Sequence, residues 1–163
     1  MKFEATVQYP ADLATVTAML VDPEYLEFRI RKLGVEVLEQ SVTGEPGAPR
    51  IRVRAVVPQT MIPANYRRFV PAALKLTLIE AWQPKAGDRS PTGTMTVEFD
   101  GLPARASASF RLDGTPSGCE RHYNGDVTAN VPLIGKKLET AAVGALTEVV
   151  RAEQAAAAEY LSR

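Results

Sequence analysis

The sequence predicts an α+β fold, a curved antiparallel sheet of about seven strands around one long C-terminal helix, with two short helices after the first strand. Three observations predict it. Residues 2–9 alternate polar and apolar side chains without a break, as a strand with one buried face does. Later segments alternate in the same way between proline- and glycine-rich turns. From Leu133 to about Ser162 there is no proline, alanine is abundant, and apolar residues recur at helical spacing. One helix of about 45 Å, at 1.5 Å per residue, is long enough to cover the dry face of such a sheet. At 163 residues the chain has the size of one domain, and residues 1–163 read as a single unit.

In strand 2–9, Phe3, Ala5, Val7 and Tyr9 face one way. Pro10-Ala11-Asp12 stops it and starts a helix over 12–21, with Val16, Met19 and Leu20 on one face. Asp22 caps a second helix over 23–32, where Pro23 suits the first position and Tyr25 and Phe28 share a face; Gly34 ends it. A second strand covers 35–43 with an imperfect pattern, and Gly44-Glu45-Pro46-Gly47 turns the chain. In 50–57, Ile51, Val53, Ala55 and Val57 point inward, and Arg50, Arg52 and Arg54 must face water. Pro58, Pro63 and Pro71 exclude a central strand from 58–73. Strands follow at 74–83, 93–100 and 104–112, joined by the loop 84–91 and the hairpin connection Asp100-Gly101-Leu102-Pro103. The turn 113–118 leads to the last strand, 119–131, in which Asn124-Gly125 reads as a bulge or sharp bend. In the final helix Ile134, Leu138, Ala142, Leu146, Val149, Val150 and Tyr160 form the apolar stripe.

Composition narrows the functions. With 45% hydrophobic and 23% charged residues the chain is an ordinary globular protein. Lys+Arg and Asp+Glu are both 19, and a net charge of zero argues against a nucleic-acid partner, which calls for excess cations. Cys119 is the only cysteine, so no intramolecular disulfide forms and a reducing cytoplasm fits. The alternating N-terminus lacks a signal-peptide core, and no apolar run approaches the roughly 20 residues of a membrane span, so stable membrane insertion is not expected. One His and one Cys argue against a zinc site, and no motif calls for a cofactor.

Three segments carry a resemblance: Phe3-Glu4-Ala5-Thr6-Val7-Gln8-Tyr9-Pro10-Ala11-Asp12, Asp22-Pro23-Glu24-Tyr25, and Val131-Pro132-Leu133-Ile134-Gly135-Lys136-Lys137-Leu138-Glu139. They resemble an actinobacterial domain-of-unknown-function family within the START-like, helix-grip (SRPBCC) superfamily, which also holds polyketide cyclases and pollen-allergen-like lipid binders. The resemblance covers essentially the whole chain. It implies a START-like helix-grip fold and a lipid-, polyketide- or quinone-like ligand. It transfers no catalytic residue, and no role passes to the short 44–47 turn.

Candidate ligand contacts follow from the strand register. Leu76, Leu78, Met95, Val97, Phe99 and Phe110 point inward, facing Leu138 and Ala142 of the last helix. Ala104, Ala106 and Ala108 form a row of small side chains. Either they leave room for a ligand, or they let Ala141, Ala142, Gly144 and Ala145 approach closely. Glu80 and Trp82 continue the inward register. Glu80 is either a carboxylate in an apolar cavity or a solvated rim residue; the rarity of buried Glu favours the rim. Arg121 and Tyr123 share a face, and if it is inward Arg121 needs an anion, from Glu80 or from a ligand. His122 falls on the polar face and Cys119 reads as structural. Segment 58–73 reads as the portal, with Met61, Ile62, Tyr66 and Phe69 at the cavity mouth and Arg67 and Arg68 outside.

Three functions compete. The first is binding or transport of a hydrophobic small molecule without catalysis. The second is a cyclase- or hydratase-type enzyme, which needs Glu80, Arg121 and Tyr123 to converge. The third is a protein–protein module, in which the sheet edge or the Ala-rich end of the last helix joins a partner or forms a homodimer.

Overall fold

The computed structural model describes residues 1–163. Strand β1 (Lys2–Tyr9) is followed by helices α1 (Leu13–Leu20) and α2 (Pro23–Lys32). Strands β2 (Glu36–Glu45) and β3 (Ala48–Val56) precede two short 3-10 turns, Gln59–Met61 and Ala64–Phe69. Strands β4 (Lys75–Trp82), β5 (Thr92–Phe99), β6 (Ala104–Thr115) and β7 (Gly118–Ala129) then lead to helix α3 (Gly135–Leu161). The seven strands form one antiparallel sheet in the order β1-β7-β6-β5-β4-β3-β2. The α+β architecture expected from the sequence is therefore the one observed. No helix is long and apolar enough to cross a membrane.

The short helices start where their caps stand. The Asp12 carboxylate accepts from the Thr15 amide at 2.8 Å, and Asp22 accepts from the Glu24 amide at 2.9 Å. Each cap satisfies a backbone donor that the first turn leaves free. Together α1 and α2 carry the chain from edge strand β1 to the opposite edge, β2. The largest core cluster lies where they meet the sheet: Val16, Met19, Leu20 and Tyr25 pack on Val7, Tyr9, Trp82, Phe110, Leu112 and Cys119. A second cluster joins Leu26 and Ile30 of α2 to Ile51, Val53 and Ala55 of β3. The arginines of β3 do face outward, and Arg52 and Arg54 pair with Glu39 and Asp100 at 3.1 and 2.8 Å.

One local expectation is corrected, and one open alternative is resolved. Asn124-Gly125 is no bulge: pairing runs one-for-one through it on both sides, Glu4 opposite Asn124 and Ala108 opposite Gly125. Gly125 is there for close approach. A Cβ would lie 2.3 Å from the Ser107 carbonyl oxygen and 2.7 Å from the Phe3 ring. The register shift falls instead between Val37 and Glu39 of β2, which explains that strand's imperfect alternation and the exposure of Leu38.

The open alternative concerns α3. Its buried side chains are Glu153, Ala156 and Ala157, in its C-terminal half. Over its length the helix packs on β1, β7 and α2. Ala142, Gly144 and Ala145 are exposed rather than pressed against the alanine row of β6. The helix is thus held to the sheet at both ends, by Glu139 accepting from the Ala129 amide at 3.0 Å and by the buried Glu153, Ala156 and Ala157, and is most exposed between them.

Two glycines separate close packing from open space. At Gly93 a Cβ would meet the Phe110 ring at 2.4 Å, whereas nothing lies within 4 Å of one at Gly144. Gly93→Val should destabilise the protein by about 1–3 kcal/mol through overpacking. Gly144→Ala should stabilise it by about 0.5–1 kcal/mol through helix propensity. Urea midpoints of the two variants, shifted in opposite directions, check both.

Candidate ligand cavity

Alternation in β4 carries Glu80 and Trp82 onto the concave face behind Leu76 and Leu78. Glu80 is 1% exposed, so it is not the solvated rim residue that its rarity suggested. The reason is pairing. Arg121 of β7, with no exposed surface, crosses the concave face and donates from Nη2 to Glu80 Oε2 at 2.9 Å. Its guanidinium lies 3.9 Å from the Phe110 ring centre, 4.8 Å from Tyr123 and 5.4 Å from Trp82. These aromatic faces stand in for hydrogen bonds that Arg121 Nε and Nη1 do not make.

The pair continues into both helices. Arg29 of α2 places Nη2 3.5 Å from Glu80 Oε1 and Nη1 3.4 Å from Glu153 Oε1 of α3. Glu153 Oε1 also accepts from the Tyr25 hydroxyl at 2.9 Å and from the Tyr9 hydroxyl at 3.4 Å. The result is an alternating chain, Arg121–Glu80–Arg29–Glu153, drawn from β7, β4, α2 and α3. Burial pushes the Glu80 carboxyl up, but Arg121 and Arg29 outweigh it and hold the group below its ordinary range. Burial would pull both guanidiniums down, and the carboxylates raise them instead. Burial raises the phenols of Tyr9, Tyr25 and Tyr123, so each stays protonated as a donor at neutral pH.

Beside this chain lies a cavity of about 210 Å³. Its sheet wall is Phe3, Ala5 and Val7 of β1, Val53 and Ala55 of β3, Leu76 and Leu78 of β4, and Met95 of β5. Its helix wall is Ile30, Leu146, Val149 and Val150, with Leu33 and Val35 beside α2. Tyr123 and three charged residues, Arg29, Glu80 and Glu153, complete the lining.

Of the residues singled out in the sequence, Leu76, Leu78, Glu80, Met95 and Tyr123 line this cavity. Arg121 stands behind Glu80, and Trp82 and Phe110 are core residues beneath it. Ala108 is buried; Val97, Phe99 and Ala106 are half-buried on the concave face outside the cavity wall. Leu138 and Ala142 do not line the cavity; Leu146, Val149 and Val150 of α3 take their place. Tyr66 and Phe69 do not form its mouth either. Arg67 ties its own segment down by donating to the Ile62 carbonyl at 2.9 Å, and Phe69 lies exposed under Arg68. His122 sits on the outer face beside Thr6, and Cys119 is buried in the core, its thiol pushed up to about 11 by burial.

Arg29, Glu153, Tyr9 and Tyr25 were missed as site residues. The signal was present: Arg29 falls in the buried stripe of α2 with Tyr25, Leu26 and Ile30, and Glu153 continues the stripe of Leu146 and Val150. A charge inside an apolar stripe at helical spacing needs a partner across the core.

The family model for "Protein of unknown function (DUF2505)" matches residues 4–161. The chain belongs to this family. Solved structures resembling this DUF2505 member share its fold. A START superfamily protein from Mycobacterium smegmatis superposes with a TM-score of 0.55 at 15% identity, covering 94% of each chain. A STAR-related lipid transfer protein from Xanthomonas axonopodis gives 0.53 at 16% identity, over 92% of this chain and 84% of that one. Ara h 8.0201 gives 0.57 at 13% identity, over 100% and 99%. No curated protein matches the chain. At these identities the likeness establishes the START/Bet v1-like fold that the resemblance implied.

Breaking the charge chain has a defined cost. Glu80→Gln leaves Arg121 buried without its anion and should lower stability by about 3–5 kcal/mol at pH 7. Glu80→Gln with Arg121→Met should cost less than the sum of the single changes, as a double-mutant cycle in urea would show. Because the folded state depresses the Glu80 carboxyl, its stabilisation is present above the ordinary value of 4.5 and is lost as pH falls through the lower folded value. Urea midpoints should fall as pH drops below about 4.5, less steeply in Glu80→Gln.

Proposed function

We propose that the protein binds an apolar small molecule, of lipid-, polyketide- or quinone-like character, in the cavity between sheet and α3, and carries it without transforming it. The observation that supports this reading most is the apolar cavity itself. It lies beside two close-packed core clusters. A half-open apolar pocket with a few polar groups is the usual form of a small-molecule site. The cavity's volume is below the usual ~300–1,000 Å³ of such sites. A longer ligand would extend over the half-buried apolar surface of Val97, Phe99 and Ala106. The fold is shared with a protein whose name is that of a lipid transfer protein, which supports the same class. The unpaired Cys119 fits a cytoplasmic setting.

Carriage is favoured over chemistry because both Glu80 oxygens face arginines, which hold it as a fixed anion rather than a proton shuttle. The enzyme reading retains one supporting observation, since Glu80 and Tyr123 line the same cavity and Arg121 pairs with Glu80 from behind it.

Titration with the uncharged fluorophore N-phenyl-1-naphthylamine tests the proposal. Wild-type protein should bind it saturably, with a blue-shifted emission. Leu78→Trp fills the cavity and should weaken binding at least about tenfold with unchanged far-UV circular dichroism. Equal binding by a folded Leu78→Trp protein, or none by wild type, would contradict it.

A further inference from the structure

We propose that the cavity selects an apolar molecule with one uncharged hydroxyl head, an alcohol rather than a carboxylate or an amine, seated against Tyr123 and Glu153. This deepens the binding reading and rests on it.

The first observation is charge balance. The buried chain holds two cations, Arg29 and Arg121, and two anions, Glu80 and Glu153, and each member faces an opposite charge. A carboxylate head would enter a region already neutral, beside Glu153 at the cavity wall. An ammonium head would lie beside Arg29. Either would bury a charge without a counter-charge, which proteins avoid strongly.

The second observation is which polar atoms are already engaged. Tyr9, Tyr25 and Arg29 all donate to Glu153 Oε1, and none of them to Oε2. Glu153 is 9% exposed and lines the cavity, and its Oε2 accepts no hydrogen bond within the protein. Tyr123 lines the same cavity, and its hydroxyl takes no part in the network's hydrogen bonds. Its raised proton affinity keeps it a donor. Glu153 and Tyr123 therefore bring one carboxylate acceptor and one hydroxyl donor to the lining of the same cavity. A hydroxyl satisfies both, donating to Oε2 and accepting from Tyr123. A ketone or ether accepts only, and leaves the carboxylate oxygen without a donor. All the remaining lining residues but Arg29 and Glu80 are apolar, which leaves little to match a second polar group on the ligand.

Displacement of N-phenyl-1-naphthylamine by 1-decanol, 1-methoxydecane, decanoate and decylammonium at pH 8 tests this. The expected result is 1-decanol tighter than decanoate and decylammonium by at least about tenfold, and tighter than 1-methoxydecane by several-fold. Tyr123→Phe should weaken 1-decanol several-fold more than it weakens 1-methoxydecane, which has no hydroxyl to lose that partner. Glu153→Gln makes the chain net positive and should shift the preference toward decanoate, a change that loss of packing alone would not produce. Decanoate binding to wild type as tightly as 1-decanol, or an unaltered charge preference in folded Glu153→Gln, overturns the head-group inference and leaves the cavity reading standing. If neither the fluorophore nor any decyl compound binds wild type, both fall.

Discussion

Four buried charges in alternating order set the geometry of this protein. Removing an ion from water costs several kcal/mol even after the surroundings relax, so Arg121, Glu80, Arg29 and Glu153 are tolerated only in register with one another. They come from β7, β4, α2 and α3, and satisfying them fixes where both helices sit over the sheet. Apolar contacts alone would let α3 slide or settle lower; a guanidinium between two carboxylates allows one position. The same chain places polar atoms beside an otherwise apolar cavity.

The floor under the chain explains residues that look unrelated in sequence. Gly93 yields its side-chain space to the Phe110 ring, and that ring supports the Arg121 guanidinium. Arg121 can then reach Glu80 across the sheet. On the far side Gly125 lets the Phe3 ring close against Ala108, and Phe3 begins the cavity wall. Packing is tight around the charges and slack beyond them, where α3 leaves β6. The proposed carriage would use this division: anchored ends that hold α3 in place, and an apolar space that a ligand can enter.

Much of the fold was legible because period-2 and period-3.6 patterns are local. Phe3-Ala5-Val7-Tyr9, Leu74-Leu76-Leu78-Glu80-Trp82 and the proline-free tail each announced an element and its inward face. The inward register of Glu80, Arg121 and Tyr123 was legible too, together with the suggestion that Glu80 could be the anion for Arg121. Two things were not. Which part of α3 touches the sheet depends on the sheet's curvature, and alternation carries no information about curvature; Ala142 and Leu138 were therefore placed against a wall they do not reach. Whether a lone inward carboxylate is solvated depends on partners distant in sequence. Glu80 reads as a rim residue until Arg29, 51 positions earlier, and Arg121, 41 positions later, are seen beside it.

The central claim is that a charge-braced helix leaves a persistent apolar cavity. Diffraction from crystals of the protein pressurised with xenon measures this most directly, since xenon enters apolar cavities without chemical preference. The predicted result is a xenon peak bounded by Leu78, Met95, Val149 and Val150, with Arg29 still bridging Glu80 and Glu153. A structure in which α3 has closed onto β6, with no xenon at that position, would contradict it.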